Sequence, residues 1–277
     1  MKISINYKIK LIRKAMLLFL FVAILSSCDD NPTSSSSDEA PFIPDFSVME
    51  MDISYFTERP PYKIAMQNSD SDDVYFMAYT YAVNSANLFN AYGSTGFLYL
   101  GLAELGNPKY EDNVWNWVYS YQTQGAFTEM KLTSKPASNG FEWNLYLTVD
   151  IAGEESLNNA KIMSGFSSND GKTGSWSLFL GSDVSANNDP VLKFEWNKQS
   201  ETNHKTGFKI YAENSSNQLP VLEIDYERDD TEFLINYMNR EDASAKVIYW
   251  NISSETGYII ENGVKSCWNQ SLETTAC

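Results

Sequence analysis

Residue types that do chemistry are unevenly supplied in this 277-residue chain, and their spacing narrows what they could do. Histidine occurs once, as His204, inside the polar run Ser200-Glu201-Thr202-Asn203-His204-Lys205. A zinc site draws on several nitrogen or sulfur ligands held close together, and nothing near His204 offers them. A serine hydrolase of the elbow type needs a strained G-x-S-x-G turn, which does not occur here. His204 is therefore expected on an exposed loop, and no metal or cofactor is expected. Carboxylates are plentiful, so the inventory leaves room for a glycoside hydrolase that sets two acids roughly 5–10 Å apart across a cleft. Glu142 and Glu195 sit beside Trp143 and Trp196, but strand neighbours point to opposite faces, which places these acids on a wet outer face. Asp70-Ser71-Asp72-Asp73 lacks the glycine and distal glutamate that close a calcium loop, and helix capping is its simpler use. Trp115, Trp117, Tyr119 and Tyr121 share one face of a strand. Such rings stack on sugars, line an apolar pocket or pack a core, and they are the candidate ligand-binding residues.

The chain's beginning carries a different signal. Lys2, Lys8, Lys10, Arg13 and Lys14 precede an apolar run of 11 residues, Ala15 to Leu25, and no acid comes before Asp29. A stable bilayer span takes roughly 20 residues, so this length and these flanks fit the charged and hydrophobic regions of a secretory signal. Next comes Leu25-Ser26-Ser27-Cys28. This tetrapeptide resembles the lipobox of bacterial lipoproteins: an aliphatic residue, two small residues and a cysteine. The resemblance implies that residues 1–27 are removed, that the Cys28 thiol carries a diacylglycerol, and that Cys28 becomes the first residue. Each buried methylene contributes about 0.8 kcal/mol, and two or three acyl chains hold a protein firmly where one does so only marginally.

The implied partner is a membrane reached through the lipid, and the implied address is the bacterial cell envelope, the outer membrane in preference to the inner. Residues 28–48 then read as the lipidated cysteine and a flexible tether, since Asp29 to Ala40 (DDNPTSSSSDEA) has too few apolar side chains to order itself. Without residues 1–27 the chain holds 15 basic and 36 acidic residues, a formal charge of −21. Such a body repels phosphate backbones, which argues against nucleic acid as a partner. Export also places Cys267 and Cys277 in an oxidising compartment, where paired thiols tend to close. A bridge between them would staple the C-terminus.

The elements that must position these groups change character along the chain. Residues 49–113 read as a lead-in followed by helix. Ser71-Asp72-Asp73 can cap it, and apolar positions recur three to five apart from Val74 to Tyr92. Gly93-Ser94-Thr95-Gly96 is expected to break the helix, leaving Phe97 to Leu105 as a second short helix or a strand. From Val114 to residue 277 the period is two. Phe141, Trp143, Leu145, Leu147 and Val149 alternate with Glu142, Asn144, Tyr146, Thr148 and Asp150, and the stretches 192–197 and 222–227 alternate likewise. Turn signals such as Ser138-Asn139-Gly140, Asn169-Asp170-Gly171 and Glu261-Asn262-Gly263 separate the runs.

The expected fold is mainly β: about ten strands in an antiparallel meander, curled into a half-barrel or open barrel with the N-terminal helix packed on its concave face. A two-sheet sandwich is the alternative. Residues 49–113 and 114–277 are expected to form one unit. The globular part is similar to uncharacterised envelope lipoproteins built on a wide antiparallel sheet, on the strength of Trp115-Asn116-Trp117, Gly174-Ser175-Trp176 and Cys267-Trp268. That similarity carries no activity with it. The expected function is non-catalytic: binding of a hydrophobic small molecule or a glycan, or a structural role in the envelope. A carboxylate-based glycoside hydrolase is the rival. A deep apolar cavity between helix and sheet would favour a carrier, and two acids flanking a cleft would favour the enzyme.

Overall fold

The computed structural model describes residues 39–61, 73–153, 156–179, 189–212 and 219–277. Cys28 and most of the tether lie outside the described residues, as do Ser71 and Asp72. From Ala40 onward the chain already packs on the core, with Ile43 and Met49 buried, so the tether ends earlier than residue 48. A 3-10 turn at Phe46–Met49 and a short helix α1 (Ser54–Thr57) make up the lead-in.

Helix α2 follows at Val74–Ala103, opened by Asp73, whose Oδ1 accepts the Phe76 N–H at 3.2 Å. It runs unbroken through Gly93-Ser94-Thr95-Gly96, where a break was expected. Tertiary packing overrides the propensity of those residues: a Cβ at Gly93 would overlap the Phe46 ring. The glycine is what lets the lead-in lie against the helix. Ala78, Ala82 and Ala86, four residues apart and so on one helix face, are all buried.

Fourteen strands form one antiparallel sheet in sequence order among the described residues. They are β1 (Lys109–Glu111), β2 (Val114–Thr123), β3 (Ala126–Ala137), β4 (Gly140–Ile151), β5 (Leu157–Ser168), β6 (Thr173–Leu178) and β7 (Leu192–Ser200). The remainder are β8 (Asn203–Ile210), β9 (Leu222–Asp229), β10 (Glu232–Asn239), β11 (Ser244–Asn251), β12 (Thr256–Glu261), β13 (Val264–Trp268) and β14 (Thr274–Thr275). One continuous, unclosed meander excludes the two-sheet sandwich. Both edges are protected by brevity, since β1 has three residues and β14 two, all exposed.

The helix crosses the strands as a chord. Tyr75 meets Trp268 of β13 at 5.8 Å between ring centroids, Tyr81 meets Tyr237 of β10 at 6.4 Å, and Phe89 meets Phe208 of β8 at 6.0 Å and Phe194 of β7 at 5.6 Å. Phe97 meets Trp176 of β6 at 6.5 Å, and the helix also touches β2 and β3. A 30-residue helix is about 45 Å long. The path from β2 to β13 along a flat sheet is about 53 Å at the usual strand spacing, so the sheet must curl to meet the helix at both ends. The result is a half-barrel with its concave face filled.

Three glycines permit that filling. Gly165, Gly174 and Gly257 lie directly across from Trp176, Trp196 and Trp268 on the next strand. A Cβ at any of the three would overlap the facing indole, so each tryptophan lies down on a glycine. Cys267 and Cys277 are disulfide-bonded with Cα atoms 5.3 Å apart, which ties β14 and the C-terminus to β13.

Candidate functional site

The aromatic strip of β2 divides between core and surface. Trp117 is 4% exposed and stacks toward Trp143 at 5.8 Å, which makes it a core residue and corrects its standing as a ligand-binding candidate. Trp115, Tyr119 and Tyr121 are half-buried and pack against the same core. The structure brings the four together on one face, but as the flank of the packed interior. Trp115 also meets exposed Tyr110 of β1 at 5.0 Å.

His204 also departs from expectation. It is not on an exposed loop: the turn before it is only Glu201-Thr202, and His204 enters β8 facing inward, 6% exposed, alternating with Thr206 and Phe208. Its ring meets the Tyr226 ring at 5.6 Å, and its Nε2 has no hydrogen-bond partner. Burial, with help from the Lys198 and Arg228 charges, holds its pKa below the ordinary histidine range, against a Val48 backbone hydrogen bond and the Glu201 charge. It is a neutral packing group. Among the described residues, no three His, Cys, Asp or Glu side chains are grouped to hold a metal ion, and no helix is long and apolar enough to cross a membrane.

The best-defined polar site lies on the convex face, where alternation places the odd-numbered residues of β7, β8 and β9. A transverse row runs Glu195 of β7, Gly207 of β8, Asp225 of β9 and Asn236 of β10, each paired with the next across the sheet. Gly207 breaks the row of side chains and leaves a depression of about 300 Å³, whose rim includes Glu195, Asn197, Lys205, Asp225, Glu227 and Asn236. A glycine inside a strand marks a bulge, a tight packing contact or a close approach by a ligand. Gly165, Gly174 and Gly257 sit under tryptophans, and Gly140 lies against the Ser167 carbonyl. Gly207 has neither explanation. A Cβ there would meet only the Asp225 carboxylate, at 3.0 Å, and the Glu195 Cβ, at 4.0 Å. The bulge on β7–β8 lies elsewhere, at Lys198/Ser200.

The rim's charges are unequally paired. Glu195 is held by Lys193 at 2.7 Å and Lys209 at 3.3 Å, Glu227 by Lys205 at 2.6 Å, and Glu223 by Lys209 at 3.4 Å and Arg240 at 3.3 Å. Asp225 forms no ion pair among the described residues. Burial raises the Glu195 pKa, but Lys193 and Lys209 together outweigh it and hold the carboxyl below the usual range. Asp225 goes the other way: burial and then the Glu223 and Glu195 charges push it up, with Lys209 only partly opposing. The depression thus offers two anchored carboxylates, one under-satisfied carboxylate, two amides and an ammonium. The acid Glu195 was expected on the outer face and is there. Asp225 and Gly207 were not singled out, although a glycine interrupting the alternation Thr206-Gly207-Phe208 was visible in the sequence.

No protein-family model, no curated protein and no solved structure matches this chain.

Proposed function

We propose that this chain is a lipid-anchored envelope protein that binds a hydroxyl-rich ligand, a glycan, on the convex face of its sheet without transforming it. The observation that carries the binding reading is the unfilled depression over Gly207 with its unpaired Asp225. Carboxylates accept hydrogen bonds, ammonium groups donate them, and amides do both, which suits neighbouring sugar hydroxyls that must each donate and accept. The packed concave face speaks against a carrier that shelters an acyl chain there, since Phe89, Phe56 and Tyr75 occupy that space. Support for the anchor comes from Leu25-Ser26-Ser27-Cys28 behind its apolar run. The joined Cys267 and Cys277 suit an exported chain.

Titration of the full chain with a panel of neutral oligosaccharides tests the binding reading. Asp225→Asn is expected to weaken binding about tenfold, the effect of one lost charge-assisted hydrogen bond. Failure of every saccharide to bind would overturn it. Palmitate labelling tests the anchor separately: Cys28→Ser should abolish the label, and persistence of label and membrane retention would refute that part.

A hydrolase is the second reading, favoured by one observation: Glu195 and Asp225, with pKa values displaced in opposite directions, flank the same depression, as an acid and base pair would. Saccharide cleavage that Asp225→Asn abolishes while binding survives would select it over simple binding.

A further inference from the structure

A second depression, of about 340 Å³, lies between the lead-in at 42–46 and the last turns of α2. Its walls are apolar: Ile43, Pro44 and Leu100 are buried, and the half-buried rings of Phe46 and Phe97 stand 5.2 Å apart. Its outer lip is Phe42, 69% exposed. Gly101 borders it at an exposed position, where an added Cβ would meet nothing within 4 Å. Glycine inside a helix carries a cost against alanine. At Gly93 that cost has a packing reason in Phe46, but at Gly101 no packing contact explains it. The missing side chain leaves that border of the groove open.

Two carboxylates, Asp45 and Glu104, stand on the rim. They are close enough to feel one another: burial pushes the Glu104 carboxyl above its ordinary range, and the Asp45 charge adds to that rise. Asp45 accepts the Ser47 N–H at 2.8 Å. No described lysine or arginine forms an ion pair with either acid. An apolar trough with two unneutralised acids at its mouth is complementary to a molecule with an apolar body and a positive head. An anionic amphiphile such as a fatty acid is repelled by the same pair, and a neutral one gains only from burial.

We propose that the groove over Gly101 is a binding site for a small hydrophobic cation, an aryl- or alkylammonium, whose ring or chain lies on Leu100, Phe46 and Phe97 while its ammonium pairs with Asp45 and Glu104. The site is separate from the depression over Gly207 and does not depend on that reading. Both acids are partly open to solvent, so each ion pair is worth up to about 1 kcal/mol, or about fivefold in affinity, and less at high salt.

Isothermal titration of the full chain with phenethylammonium, phenethyl alcohol and phenylpropionate tests the site. The ammonium is expected to bind most tightly and the carboxylate least. Glu104→Gln should weaken the ammonium about fivefold while leaving the alcohol unchanged. Gly101→Leu fills the trough and replaces a poor helix former with a good one, so it should fold normally and lose all three ligands. Equal binding of ammonium and alcohol, no ammonium binding, or undiminished binding to Gly101→Leu would each overturn the proposal.

Discussion

The pairing of Trp268 with Gly257 can be tested as a coupled unit. Trp268 is 1% exposed, meets Tyr75 at 5.8 Å and Phe56 at 6.3 Å, and donates from Nε1 to the Tyr55 hydroxyl at 3.3 Å. A buried tryptophan removes about 150–250 Å² from water, worth about 4–6 kcal/mol at 25 cal/mol per Å². Large-to-small core changes of this kind cost about 3–5 kcal/mol. Gly257→Ala acts in the opposite sense, adding a methyl group where the indole and the Tyr249 carbonyl already sit. Overpacking costs about 1–3 kcal/mol, less the roughly 0.5–1 kcal/mol by which alanine outdoes glycine within a strand. The net runs from about zero to a loss of about 2.5 kcal/mol. If glycine is required because the ring lies on it, the alanine should cost at least about 1 kcal/mol less once Trp268→Ala has removed that ring. Urea unfolding followed by far-UV circular dichroism on the wild type, both single variants and the double variant gives the coupling directly. Additivity within about 0.5 kcal/mol, the behaviour of independent sites, would refute the account of how the concave face is packed.

Two further outcomes are expected. Replacing Cys267 and Cys277 together by serine opens a loop of sequence separation 10 and should destabilise the chain by up to about 2.7 kcal/mol in the chain-entropy picture, seen as a lower urea midpoint; an unchanged midpoint would show that the bridge constrains nothing. Because the folded pKa of His204 lies below the ordinary value of 6.5, its contribution is fully present above about pH 6.5 and is lost as pH falls toward the folded value. His204→Gln should therefore show a shallower loss of stability than the wild type between pH 7 and pH 5, and identical slopes would contradict the buried neutral ring.

The strands were legible because their inner and outer faces differ in chemistry. Phe141 to Val149 alternates without exception, and β4 occupies Gly140–Ile151. Turn chemistry was equally direct: Asn262 and Gly263 both take positive φ, 51° and 79°, as a tight hairpin demands. Edge strands β1 and β14 were invisible because two or three exposed residues carry no periodicity. The helix through Gly93–Gly96 escaped local reading because its cause is remote, a phenylalanine 47 residues earlier in the chain filling the space over Gly93. His204 was misplaced since a polar run masks where a two-residue turn ends. The alternation of His204, Thr206 and Phe208 carried the correction. The depression over Gly207 depends on three strands being neighbours in register, Glu195 beside Gly207 beside Asp225, and no stretch of one strand contains that information.

The most direct test of the whole account replaces Gly207 by valine. The position has ordinary strand dihedrals, and valine suits a strand better than glycine. A side chain there would displace only the Asp225 carboxylate while filling the floor of the depression. The variant is expected to melt no lower than the wild type and no longer to bind the saccharide that the wild type binds. A stable Gly207→Val protein with undiminished saccharide affinity would contradict it.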